Sequence, residues 1–290
     1  MKSLMINPFG LGASSTERKL RRFSAEIIFG ICLLFFSIAK GDMMQVDFLN
    51  IGKADAILIR TLNAAVMIDA GKEKDAECIL QFMRNEQISH LDLLIVTHYD
   101  KDHVGGADQI INEVRTDRVL LPNYESESKQ YRQFFQAMEE KKLTPEYLTS
   151  NISFKLDDMQ ISIDVANEED YGEEEENDFS LITEIQYGEI RFYFAGDAEN
   201  PRLKELLQEG IHPSQVLKVP HHGRIEKKTE EFLEAVHPEI SIITSSDEEQ
   251  EEAAVLKILE NIGSKVFLTR QGTVTCVTDG KAVSVRQETH

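Results

Sequence analysis

The sequence reads as an α/β protein built from two packed β-sheets with helices on the outside. Three observations carry that reading. From Met44 onward, short runs rich in apolar β-formers alternate with amphipathic helical patterns. The order of elements is alike in the two halves, and several apolar runs stop abruptly at clusters of His, Asp and Gly. Alternation of β and α periods along one chain is the pattern of layered α/β folds.

Taken in order, segments 46–49, 56–59 and 65–68 read as three consecutive strands of one meandering sheet, the first two separated by a turn containing Gly52. Segment 75–85 has a helical period, 91–96 is apolar throughout and reads as a buried strand, and 102–114 reads as a second helix. A second group of strands runs from about Ile152 to Phe194. It is followed by a helix near 201–208, a strand at 216–219, and then helix, strand, helix and three terminal strands. Segment 167–178 places eight acidic residues in twelve positions without an apolar period, as a solvated loop does. It lacks the ligand spacing and turn glycine of a calcium-binding EF-hand.

At 290 residues the chain can bury a core without covalent staples. Lys and Arg total 31 against 51 Asp and Glu, a formal charge of −20, so the surface as a whole repels polyanions. Cys32, Cys78 and Cys276 form no CxxC pair and show no disulfide framework. Residues 1–42 differ from the rest. The basic cluster Arg18-Lys19-Leu20-Arg21-Arg22 precedes a mostly apolar run at 27–39 that is shorter than a typical membrane span, and Ser37-Ile38-Ala39 offers the small residues of a cleavage site. We expect a signal peptide or membrane anchor, hence a secreted or membrane-anchored extracytoplasmic protein. Translation starting near Met43 would instead leave residues 43–290 in the cytoplasm. Removal of 1–39 takes away five basic and two acidic side chains, moving the charge to −23.

The chemistry concentrates at three strand ends. The first is Thr97-His98-Tyr99-Asp100-Lys101-Asp102-His103-Val104-Gly105-Gly106, between the apolar strand and the second helix. A tight turn there can point His98 and Asp100 to one side while Asp102 and His103 converge from the helix start. Imidazoles and carboxylates are ligands that Zn²⁺ or Mn²⁺ accepts. Helix capping explains one aspartate and leaves two histidines and a second aspartate without a reason. The second strand end is Phe192-Tyr193-Phe194-Ala195-Gly196-Asp197, which taken alone is more often a turn. The third, Lys218-Val219-Pro220-His221-His222-Gly223, delivers two adjacent histidines, one of them expected as a ligand. No Gly-x-Ser-x-Gly, P-loop or Gly-x-Gly-x-x-Gly occurs, so a serine-hydrolase or nucleotide-binding reading has little support.

His98-x-Asp100-x-Asp102-His103 resembles the His-x-His-x-Asp-His motif of the metallo-β-lactamase superfamily, with Asp100 in place of the second histidine. Within it the chain is most similar to the hydrolase domain of ComEC-type competence proteins, through Asn50-Ile51-Gly52-Lys53-Ala54-Asp55-Ala56-Ile57-Leu58-Ile59, Met67-Ile68-Asp69-Ala70-Gly71 and 217–223. The resemblance implies a four-layer αββα sandwich with metals at one edge of the sheets. It implies metal ligands among His98, Asp100, Asp102, His103, Asp197, His221 and His222, with Asp69 supporting them and with Asp102, His98 and Asp69 as the catalytic set. It implies two Zn²⁺ ions, with Mn²⁺ as the second candidate, and Asp102 orienting a water and taking its proton. Three departures bear on function. No histidine precedes the Gly-Asp strand, where Asn177-Asp178-Phe179-Ser180-Leu181 stands; Gly-Gln-Gly-Asp reads Gly52-Lys53-Ala54-Asp55; and Asp247-Glu248-Glu249-Gln250-Glu251-Glu252 replaces an Asn-x-Tyr-Gly-His-Pro stretch. The expected substrate is a small or short phosphodiester, because Lys53, Lys101, Lys218, Arg224, Lys227 and Lys228 near the motifs could hold a few phosphates but not a long duplex. Phosphocholine esters, lactones and thioesters are the competing ester classes, and a metal-binding sensor without turnover is the competing class of function.

Overall fold

The computed structural model describes residues 43–167, 171 and 176–288. The expectations for the leader segment 1–42 lie outside the described residues. Among these, no helix is long and apolar enough to cross a membrane.

The meander is present as β1 (Met44–Phe48), β2 (Ile57–Arg60) and β3 (Ala65–Ile68), antiparallel neighbours in one sheet. Helix α1 (Ala76–Asn85) crosses to β4 (His90–Ile95), which runs parallel to β3. Helix α2 (Ala107–Glu113) leads to β5 (Arg115–Pro122), and α3 (Lys129–Lys141) leads to β6 (Pro145–Leu148), both parallel additions. The second sheet starts with the antiparallel strands β7 (Ile152–Leu156), β8 (Met159–Asp164), β9 (Ile182–Tyr187) and β10 (Ile190–Phe194). It continues in parallel through α4 (Asn200–Glu209), β11 (Val216–Lys218), α5 (Thr229–Val236), β12 (Ile240–Ile243), α6 (Ala253–Asn261) and β13 (Lys265–Leu268). Strands β14 (Val274–Thr278) and β15 (Val283–Gln287) return to the first sheet, β14 pairing with β1.

The sheets are therefore ordered 15-14-1-2-3-4-5-6 and 13-12-11-10-9-8-7. Period-two alternation sorts their apolar residues. Val46, Phe48, Ile57, Ile59, Val66 and Ile68 meet Ile161, Ile163, Ile185, Phe192 and Phe194 between the sheets. Leu58, Met67, Leu94 and Val96 face outward under α1, α2 and α3, and Tyr193, Leu217, Val219 and Ile243 face outward under α4, α5 and α6. Helices, sheet, sheet and helices make the four-layer αββα sandwich.

Two expectations are corrected. The helix expected from 102 begins only at Ala107, after turns over 101–106. A methyl group on Gly106 would stand 2.4 Å from Ala70 O, and one on Gly105 2.7 Å from Glu73 N, so the glycines let this loop lie directly on the 70–73 backbone. The solvated loop expected over 167–178 closes, at its described end, in a short 3₁₀ turn, Glu176–Phe179, with Asp178 buried. There Asp178 Oδ1 accepts from the Glu199 and Arg202 N–H groups, and burial pushes its pKa up to about 6.

Candidate metal centre

The ends of β3, β4, β10 and β11 come together at one edge of the sandwich. Asp69 leaves β3 in the left-handed region (φ 57°), and its N–H is held by Ile95 O. After β4, Tyr99 turns into the helix-side core, its hydroxyl donating to Pro122 O at 3.0 Å, which leaves its neighbours His98 and Asp100 on the opposite side of the chain. Backbone bonds pin the loops to one another, Ala70 N–H to His103 O, Asp55 N–H to Asp102 O, and, across the two sheets, Leu181 N–H to Thr97 O.

Three imidazoles face inward with the same arrangement. Each has its Nδ1 engaged from behind: His103 by Asp69 Oδ2 at 2.7 Å, His222 by Thr244 O and Oγ1 at 2.9 Å, and His98 by Thr97 Oγ1 at 3.0 Å. Each Nε2 is buried and has no hydrogen-bond partner. A bond at Nδ1 keeps a proton there, so Nε2 is the nitrogen presented to an incoming ion. Asp197 Oδ2 stands 3.3 Å from His103 Nε2 and 3.0 Å from His222 Nε2. Asp102 Oδ2 is 3.8 Å from His222 Nε2, and the half-exposed Asp100 lies at the rim, 3.9 Å from His98 Nε2.

The ligand atoms fall into two sets, His98, His103 and Asp197 in one and Asp102, His103 and His222 in the other, each within 4.8 Å. Buried polar groups without partners cost free energy, and three in one place are unusual unless an ion satisfies them. Five carboxylates, on Asp55, Asp69, Asp100, Asp102 and Asp197, lie in and around the cluster, and the buried Lys218 ammonium pairs with two of them, Asp55 and Asp197. The residues present fit divalent metal ions.

Electrostatics agrees. Burial, with His103 beside it, drives the His98 pKa down to about 3, which keeps this imidazole neutral. Burial also works to lower that of His103, but Asp197 and Asp69 outweigh it and hold it well above the ordinary value. For Asp197, burial is outweighed by His222, His103 and Lys218, and the carboxyl stays well below the usual range.

The structure brings together Asp69, His98, Asp100, Asp102, His103, Asp197 and His222. It separates the histidine pair. His221 turns away, and its Nδ1 lies 3.1 Å from Glu199 Oε1. Lys218, counted from sequence among the cations that could hold phosphates, is 1% exposed; its Nζ reaches Asp55 Oδ2 at 2.5 Å, Asp197 Oδ1 at 3.2 Å and Gly196 O at 2.8 Å. Asp55 is the group that the sequence reading left without a role, and it lies 3.6 Å from His222 Nδ1 and 3.9 Å from His103 Nδ1. Each of the two is a lone charge inside an apolar run, Ala54-Asp55-Ala56-Ile57 and Val216-Leu217-Lys218-Val219, a signal for buried, paired groups.

A sequence profile of the metallo-beta-lactamase superfamily matches residues 49–245, and the chain belongs to that superfamily. It is 26% identical over 276 residues to ComE operon protein 3 of Bacillus subtilis strain 168, covering 84% of this chain and 35% of that protein. It is 22% identical over 245 residues to competence protein ComA of Neisseria gonorrhoeae, covering 83% of this chain and 32% of that protein. The chain thus spans about a third of the length of these relatives, and its likeness is to competence proteins of the ComEC type. In three dimensions the metallo-beta-lactamase fold protein YhfI of Bacillus subtilis superposes with a TM-score of 0.53 at 9% identity, over 78% of this chain and 96% of that one.

Proposed function

We propose that the chain is a metal-dependent phosphodiesterase acting on small or short substrates, with Zn²⁺, two ions, at the cluster and Mn²⁺ as the alternative. The observation that carries it is the convergence of three unpartnered Nε2 atoms on Asp197 and Asp102. His98, Asp100, Asp102, His103, Asp197 and His222 would hold the ions. Bound there, such ions supply Lewis-acid polarisation of a phosphoryl oxygen and bring the pKa of water toward neutrality.

The protein's own groups do the rest. Asp69 keeps the His103 proton on Nδ1 and also accepts from Thr97 N–H and Oγ1 at 2.8 and 2.7 Å, so the ring cannot swing. Lys218 donates to Asp197 Oδ1, so Oδ2 is the oxygen that faces His103 and His222. Asp102, partly exposed beside the cluster, orients the attacking water and accepts its proton. A neutral His98 remains a ligand at pH 7.

The surface around the cluster supports a small substrate. Lys53 lies 3.8 Å from Glu249, Arg224 4.0 Å from Glu226, and Lys228 2.7 Å from Glu231, while Lys218 is buried. The acidic 247–252 stretch lies against the histidine turn, with Glu252 N–H bonded to Gly223 O and Glu251 clamped by Ser245 and Arg270. These pairs and the burial of Lys218 reduce the positive charge open to a polyanion, while Lys101, beside Lys72 and Lys74, and Lys227 stand outside the ion pairs of the described residues. The test compares turnover of a chromogenic phosphodiester, a phosphocholine ester, a lactone, a thioester and long duplex DNA. The phosphodiester is expected to be the preferred substrate, with duplex DNA bound weakly and less as salt rises. Efficient duplex degradation at physiological salt, or preference for another ester, contradicts the reading.

A further inference from the structure

We infer that the chain carries a further divalent-cation site, separate from the cluster above, formed by His221, Glu199 and Glu226. One ligand atom from each lies within 4.8 Å of the others. His221 is 7% exposed, and its Nδ1 has no hydrogen-bond partner although it stands 3.1 Å from Glu199 Oε1. A buried imidazole nitrogen at that distance from a carboxylate oxygen, yet outside hydrogen-bonding geometry, is placed as a co-ligand is. Nitrogen and oxygen atoms each ~2.1 Å from a tetrahedral ion are ~3.4 Å apart. His222 Nε2 and Asp197 Oδ2, 3.0 Å apart, show the same relation in the first cluster.

The local chain explains why there are two clusters. His221 and His222 both lie in the left-handed region (φ 45° and 52°), and their rings end 6.3 Å apart with planes at 65°. Asp197 and Glu199, two residues apart after β10, diverge in the same sense. Each strand end thus contributes one side chain to each cluster, Asp197 with His222 and Glu199 with His221.

Two carboxylates face one imidazole here, and His221 holds the Glu199 carboxyl below its ordinary value. Burial and the neighbouring Glu199 push the Glu226 carboxyl up. The nearby Arg224, largely exposed, only approaches Glu226 at 4.0 Å. Glu199 is fixed by Asn177 Nδ2, which donates to Oε1 at 2.9 Å, and the Glu226 loop by its N–H donating to Thr229 Oγ1 at 2.8 Å. One imidazole and two carboxylates suit Zn²⁺ or Mn²⁺, with water completing the coordination. A cation there places positive charge beside the rim of an otherwise acidic protein.

The experiment counts zinc by mass spectrometry in the full chain, stripped with chelator and dialysed against Zn²⁺. Glu226→Gln changes a partly exposed side chain, and it is expected to hold one ion fewer than the wild type. A His98→Ala/Asp102→Ala variant is expected to lose a further ion when Glu226→Gln is added to it, because the sites are separate. Equal counts for Glu226→Gln and wild type overturn the inference. A second readout needs no variant: anomalous diffraction at the zinc edge from wild-type crystals should show a peak ~2.1 Å from His221 Nδ1. A peak at His222 Nε2 with none at His221 Nδ1 also overturns it.

Discussion

His103 sits between two carboxylates, Asp69 behind Nδ1 and Asp197 before Nε2. Without metal they hold its pKa well above the ordinary value, so at pH 7 the ring carries a proton that an incoming ion must displace. The sign follows: metal affinity falls as pH falls, and binding at pH 7 releases protons. Calorimetric Zn²⁺ titrations in buffers of different ionisation enthalpy should show release of about one proton per His103 site, and no release contradicts the assignment. Asp69→Asn removes the acceptor that orients the ring and is expected to weaken metal binding by about 10–100-fold. Affinity unchanged in a chelator competition would leave Asp69 without that role. Lys218→Met removes the ammonium paired with the buried Asp55 and Asp197, at a cost of ~3–5 kcal/mol in the metal-free protein, read from denaturant midpoints. The cluster was legible in the sequence because four of its members fall within six residues. The choice between His221 and His222 was not, since it is made by two left-handed backbone conformations, and the ammonium of Lys218 shows its role only once Asp55, far away in sequence, is packed against it.

Among elements, the decisive positions are strand ends. The parallel strands β3, β4, β10 and β11 finish at the same edge of the sandwich, where loops are free to carry polar groups that the apolar strands cannot. The loop between β4 and α2 holds four of the site residues, and Gly105-Gly106 seats it on the chain at 70–73. Gly106→Ala is expected to cost about 1–3 kcal/mol, as overpacking does, and to lower metal affinity by shifting His103. A denaturation midpoint and zinc affinity both unchanged would show that the close approach is dispensable. The strands at 46–49, 56–59 and 65–68 and the order helix, strand, helix, three strands after 219 were readable from periodicity. Strand β5, helix α3 and strand β6 were not: β5 opens with the polar run Arg115-Thr116-Asp117-Arg118, and α3 buries only Phe134, Ala137 and Met138. The start of α2 was misplaced because the contact that delays it joins residues about thirty apart.

For the molecule as a whole, two sheets bury one apolar layer between them and present the cluster at an edge, so the core that carries the cluster is built from residues outside it. Metal removal is therefore expected to lower stability without unfolding the chain, because an ion that binds only the folded state adds RT ln(1 + [M]/Kd). Complete unfolding on addition of chelator would contradict that separation of core and site. Fold class was legible because it rests on periodicity and element order, whereas substrate class depends on how charges pair around the site, which emerges only in the folded chain. The central claim is that this cluster holds the metal used in hydrolysis. The most direct measurement is turnover of a chromogenic phosphodiester by chelator-stripped protein as Zn²⁺ or Mn²⁺ is added back, for the wild type and for His98→Ala/Asp102→Ala. Wild-type activity should be absent when stripped and return with metal, and the variant should stay at least about 100-fold lower under every condition, as expected when ligand and proton acceptor are both lost. Activity that survives stripping, or that the variant retains, contradicts the account.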